Sequence, residues 1–212
     1  MQYFEKRKAN LKLSTRELVT IAVFGTLWGI VEITLGGILK SLNVPLSGLI
    51  LFSIGITIAM IGRLFVPKRG SILFIGIIAM ILKIFSLGGI IIGPMLGIIM
   101  EALIVEFVLS TKSEPSQPLL MFAGVFGSFW VLIQPFISGP LILGRSFLVV
   151  WLGMVDLTRN IFNLGEGSIF MVIGLFVLIH ILIGLLTGIV AWKIGKQVKI
   201  RLKKQTANTF QF

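Results

Sequence analysis

The chain has no cysteine and a single histidine in 212 residues. Disulfides, thiolate metal sites and cysteine nucleophiles are therefore excluded, and one His without Cys argues against a zinc site. Charge is scarce too. Asp, Glu, Lys and Arg make up 13% of the residues, against roughly 25% in a typical soluble domain. Nucleotide-cradling GxxxxGK[ST] is missing, so no ATP hydrolysis is expected within this chain. HExxH, GxSxG and the paired-Asp motif of lipid alcohol transferases are missing as well, and nothing resembles a K⁺ selectivity filter. The expectation is no catalytic residue, no metal site and no cofactor. The first apolar stretch starts at Leu18 and is too long for a signal core, so no cleaved signal peptide is expected.

What is present is apolar. Hydrophobic residues make up 56% of the chain and mean hydropathy is +1.05, which reads as a polytopic membrane protein. A span needs roughly 20 apolar residues. Spans are predicted at 18–39, 46–66, 71–87, 94–110, 119–137 and 168–192. The turns between them carry breakers: Asn43 and Pro45, Pro67 and Gly70, Gly88, Gly89 and Pro94, Pro115 and Pro118. The expected fold is all-α, a six-helix transmembrane bundle. Residues 1–17 form a basic N-terminal segment, 18–192 the membrane domain and 193–212 a basic tail.

The net charge of +11 is placed for a membrane rather than for nucleic acid. Lys6, Arg7, Lys8, Lys12 and Arg16 precede the first span, and Lys193, Lys196, Lys199, Arg201, Lys203 and Lys204 follow the last. Positive-inside placement and attraction to anionic lipids produce such flanking clusters. With six spans both basic ends lie on one side, so both termini are expected in the cytoplasm, in a multi-pass protein of the cell membrane. Segment 138–167 is the exception to the pattern. Its apolar part, 141–155, is short and contains Arg145, and a span there would export the basic tail. It is read as a re-entrant or interfacial helix in a long outer connection, followed by the polar stretch DLTRNIFNLGEG. Irregular backbone at membrane depth is tolerated where it lines a cavity.

Three acids stand inside spans: Glu32, Glu101 and Glu106. A charge at mid-bilayer costs roughly 2.5–3.5 kcal/mol on insertion scales, so it faces a partner, a wet cavity or the protein interior. Counted from the outer ends, Glu32 and Glu101 lie about 10 Å deep and Lys83 about 6 Å, at 1.5 Å per residue. Gln134 is also near an outer end. Two explanations fit: a shared polar cavity open to the outside, or a structural ion pair of Lys83 with Glu101 or Glu32. Glu106 is turned about 140° from Glu101 and belongs near the cytoplasmic side, against a neighbouring helix or a partner. His180, near the middle of the last span, reads as a hydrogen-bonded packing residue before a proton relay. In the outer connection Trp151, Asp156, Arg159, Asn160 and Asn163 join aromatic, charged and amide groups of the kind that hold a planar or anionic small molecule. The alternative there is a solvated loop anchored by Trp151.

Small residues recur four apart: Ala22 and Thr26, Gly25 and Gly29, Gly184 and Gly188. They allow close helix approach, either inside one bundle or against another membrane subunit. A basic segment leading into RELVTIAVFGTLWGI, six short Gly-rich spans and a basic tail together resemble the substrate-binding (S) component of an energy-coupling factor vitamin transporter. The resemblance covers the whole chain in layout. It implies a small-molecule micronutrient as substrate, a transmembrane coupling subunit and ATPase subunits as partners, and a ligand site on the outer side. It also implies docking through an Ala-xxx-Ala motif of the first span. Here those positions read Ala22 and Thr26, with Gly25 and Gly29 beside them. The expectation is a non-enzymatic binding subunit for import. Glu32, Lys83, Glu101, Gln134, Trp151, Asp156, Arg159, Asn160 and Asn163 are its candidate ligand residues. The rivals are a membrane enzyme acting on a lipid or isoprenoid, and a ligand-free assembly factor.

Overall fold

A computed structural model describes residues 13–86, 92–162 and 169–209. Among the described residues it holds seven α-helices and no strand: α1 (Thr15–Ser41), α2 (Ser47–Phe65), α3 (Ser71–Lys83), α4 (Ile92–Leu109), α5 (Gln117–Leu143), α6 (Phe147–Phe162) and α7 (Ile169–Thr209). Five of them, α1, α2, α4, α5 and α7, are long and apolar enough to cross a membrane. The chain is an all-α, multi-pass membrane protein.

The third predicted span is shorter than expected. Instead of 71–87, α3 has 13 residues, about 20 Å at 1.5 Å per residue, against a hydrocarbon core of roughly 30 Å. Lys83 takes its last position, where a cation complements the exposed carbonyls, and a turn follows at Ile84 and Phe85. The fifth span is longer than expected. α5 runs through Pro135 and Pro140 to a Gly144 cap with φ of 63°, a left-handed conformation natural to glycine. The connecting helix is therefore displaced from 141–155 to 147–162. It includes Asp156, Arg159 and Asn160, which were expected in an irregular stretch, because Val155 and Thr158 hold the helical spacing as buried positions. The basic tail is not separate from the last span, since α7 continues unbroken to Thr209.

One end of the bundle is tied by polar groups. Ser14 and Glu17 form a reciprocal capping box at the start of α1. Lys68, between α2 and α3, reaches the same Glu17 carboxylate at 2.8 Å. Glu106, near the end of α4, accepts from the backbone N–H of Gly70 at 2.6 Å and of Ile72 at 3.0 Å, so a carboxylate from one helix caps the start of another. The fully buried Arg63 donates to Ser71 Oγ and lies 3.9 Å from Glu106. Glu106 thus contacts a neighbouring helix. Lys199 of α7 stands over the Phe65 ring, which brings the basic continuation of α7 to this same end.

Packing depends on absent side chains. A Cβ at Gly184 would lie 2.6 Å from Val125 Cα and 2.7 Å from Gly124 O, and one at Gly188 would strike the backbone of Leu120 and Met121. α5 and α7 therefore touch backbone to backbone, as small-residue pairs permit in lipid. α1 meets α3 similarly: a Cβ at Gly25 would lie 2.7 Å from Ile78 Cβ, and one at Gly29 2.6 Å from Leu82 Cδ1. Replacing Gly188 by Leu should destabilise the fold by at least about 1–3 kcal/mol, because backbone cannot retreat as a side chain can. Gly174, with open space around its Cβ position, is the control. Thermal unfolding of both Leu variants in detergent checks this, and equal losses would contradict the packing account.

Candidate functional site

Where α3 stops, the end of the bundle away from the basic cluster contains a cavity of about 220 Å³. α1 lines it with Glu32, Gly36, Gly37 and Lys40, and the first turns of α2 add Ser47, Gly48, Leu51 and Phe52. Lys83 and Ser86 close one side. Pro94, Gly97, Ile98 and Glu101 of α4 and Gln134 of α5 complete it. Four residues marked in the sequence by depth alone, Glu32, Lys83, Glu101 and Gln134, thus line one space.

Lys83 is paired with Glu32 and not with Glu101. Its ammonium lies 3.2 Å from Glu32 Oε2 and also donates to the Glu32 backbone carbonyl. Gly36, one turn above Glu32, leaves room for it, since a Cβ there would lie 2.9 Å from Lys83 Nζ. Trp28 Nε1, one turn below, donates to Glu32 Oε1 at 3.4 Å. Both ions are buried, where removal of one partner is far more costly than loss of the pair. Glu101 is equally buried, at 6% exposure, and has no hydrogen-bond partner among the described residues. Gln134 is oriented by its Nε2, which donates to Gly93 O at 2.9 Å. Gly97 faces it with no side chain, and a Cβ there would come within 2.8 Å of Gln134 Oε1.

A second cavity, of about 480 Å³, lies between α2, α5, α6 and α7. It shares Ser47, Gly48 and Gln134 with the first, and its further lining includes Arg145, Met154, Phe176 and His180. α6 covers it by folding back on α5, with the Trp151 and Phe136 rings 6.5 Å apart and Val155 packed with Val172 and Phe176. His180 is buried, accepts a hydrogen bond from Ser128 Oγ at its carbonyl, and places Nδ1 2.7 Å from Phe176 O.

The remaining candidates are distributed differently. Trp151 packs on Phe136 and lines neither cavity. Asp156 and Asn160 are exposed and Arg159 is half-buried; none of the three lines a cavity. Asn163 lies outside the described residues. Of the small stripe on α1, Gly25 and Gly29 are covered by α3 of the same chain, which removes them from an exposed docking face. Ala22 and Thr26 are exposed. Sequence reading missed Gly36, Gly37, Gly48 and Gly97 as site residues. The available signal was spacing: Gly36 is four residues after Glu32 and Gly97 four before Glu101, one helical turn in each case.

Comparison with protein-family models, with curated proteins and with solved structures finds no match.

Lys83→Met leaves Glu32 buried without its counter-charge, and should cost about 3–5 kcal/mol. The double variant with Glu32→Gln should recover much of that loss. Glu101→Gln, which replaces a buried carboxyl group that has no partner among the described residues, should leave stability unchanged or raise it. Unfolding in detergent micelles measures all three, and a Lys83→Met protein as stable as Glu101→Gln would show that the pair does not hold the bundle.

Proposed function

We propose that this chain is a membrane-embedded binding subunit that captures a small polar solute and passes it to partner chains for ATP-driven import. The observation that carries the reading is Glu101, a buried carboxyl group without a partner among the described residues, on the wall of a cavity already lined by a satisfied ion pair. A buried ionisable group left unused inside a membrane protein marks a ligand or ion path. The positive-inside rule places the basic end in the cytoplasm. Both termini then lie inside, α3 makes a sixth crossing, and the cavity faces the outside of the cell membrane. α6 is then the outer re-entrant or interfacial helix.

An importer with no nucleotide motif in this chain needs a coupling subunit and ATPases, as the resemblance to energy-coupling factor S components implies. The docking stripe on this reading is the exposed face of α1 at Val19, Ala22, Val23 and Thr26, which begins near the basic end. Native mass spectrometry of the purified protein should find a co-purifying small molecule that Glu101→Gln no longer retains. Thr26→Trp or Ala22→Trp should abolish cellular uptake of that molecule while leaving its binding within about two-fold, as for a substitution away from the site. Lipid turnover by the purified protein would favour a membrane enzyme. A protein that holds no ligand and turns nothing over would favour an assembly role.

A further inference from the structure

The side chains set deepest in the walls of the two adjoining cavities leave acceptors without donors among the described residues. In the first, the nitrogen donors set below the rim are committed: Lys83 Nζ to Glu32, Trp28 Nε1 to Glu32, and Gln134 Nε2 to Gly93 O. The buried Glu101 carboxylate, an acceptor, has no partner among the described residues. At the junction Gln134 Oε1 is likewise without a donor there. In the second cavity His180 sits 2% exposed with Nδ1 against the Phe176 carbonyl. A carbonyl only accepts, so Nδ1 carries the proton, and in the neutral imidazole Nε2 is an acceptor. No donor among the described residues meets it. Three acceptors from α4, α5 and α7 therefore line two adjoining spaces that share Ser47, Gly48 and Gln134 as a wall. The cations Lys40 and Arg145 stand exposed at the rims, where water and salt screen them.

We infer that the ligand of this site is an elongated, donor-rich solute, with a cationic nitrogen at Glu101 and a second N–H donor at His180 Nε2, lying across Gln134. The inference rests on the binding-subunit reading and narrows it to a chemical class. An anion or a donor-free molecule would leave the buried acceptors unpaired, at a cost that no added apolar contact removes. Charge-assisted bonds to a carboxylate are the strong ones, so Glu101 supplies most of the affinity and His180 the selection for length. The two cavities together lie within the roughly 300–1,000 Å³ of small-molecule sites.

The test uses the full chain in nanodiscs and four probes: 1,5-diaminopentane, 1,7-diaminoheptane, 1-aminoheptane and pimelate. Thermal shift and calorimetry should show at least one diamine binding more tightly than the monoamine, and pimelate not binding. Glu101→Gln should weaken diamine binding roughly ten- to a hundred-fold, the range for hydrogen bonds to charged groups. His180→Phe should reduce the better diamine to the level of the monoamine. If that variant does not fold, Met154→Trp, which fills the cavity that His180 lines, should bring the same reduction. Pimelate binding as tightly as the diamines, or diamine binding indifferent to these substitutions, would overturn the inference. A co-purifying molecule without N–H donors would overturn it and leave the binding-subunit reading standing. Absence of any co-purifying molecule together with no binding of all four probes would overturn both.

Discussion

Lys83 ends α3 with its ammonium against the carboxylate and the backbone carbonyl of Glu32. Much of the end of the bundle away from the basic cluster is arranged around that contact. An ammonium in a low-dielectric interior requires a partner, and a buried pair persists only where geometry and further hydrogen bonds offset desolvation. α1 meets those conditions over three turns. Trp28 donates to Glu32 from below, and Gly36 above leaves the space the ammonium needs. Trp28 is itself fully buried against the side-chain-free faces of Gly55 on α2 and Gly76 on α3. One ion pair thus joins the register of α1 to that of α3, and the indole ties both to α2.

The two ends of the bundle use buried acids in opposite ways. At the basic end Glu106 is saturated by two backbone N–H groups and by Ser110, and Arg63 stands beside it. A carboxylate with that many donors is structural. Five residues earlier on the same helix, Glu101 faces a cavity and has no hydrogen-bond partner among the described residues. The contrast lies within α4 and does not depend on any comparison between proteins. It separates an acid that completes a helix terminus from one that stands on a cavity wall. Close packing through Gly184 and Gly188 holds α5 against α7, the two helices that carry Gln134 and His180.

Depth counted along predicted spans brought Glu32, Lys83, Glu101 and Gln134 together because helices rise uniformly and the membrane gives every span a common origin. The same arithmetic could not choose between Glu32 and Glu101 as the partner of Lys83, since rotation about a helix axis depends on packing that apolar spans do not encode. The stripe at Ala22, Gly25, Thr26 and Gly29 shows the same limit. Four-residue spacing marks a face for close approach, but only the fold reveals that Gly25 and Gly29 meet α3 while Ala22 and Thr26 remain outside. The Asp156–Asn160 cluster was attractive by composition, yet its helical spacing turns Asp156 and Asn160 outward and Val155 and Thr158 inward. The short α3 was obscured because apolar residues continue past Lys83 and hydropathy does not register where a helix stops.

The central claim is that a polar cavity opens to water on the side of the membrane opposite the basic end. The chain has no cysteine, so single substitutions report without background. Ser47→Cys, at the cavity wall, and Glu114→Cys, exposed near the basic end, should be treated in intact cells with a membrane-impermeant thiol reagent. The account predicts that residue 47 is modified at once and that residue 114 is modified only after the membrane is permeabilised. The reverse order, or protection of residue 47 under both conditions, would contradict it.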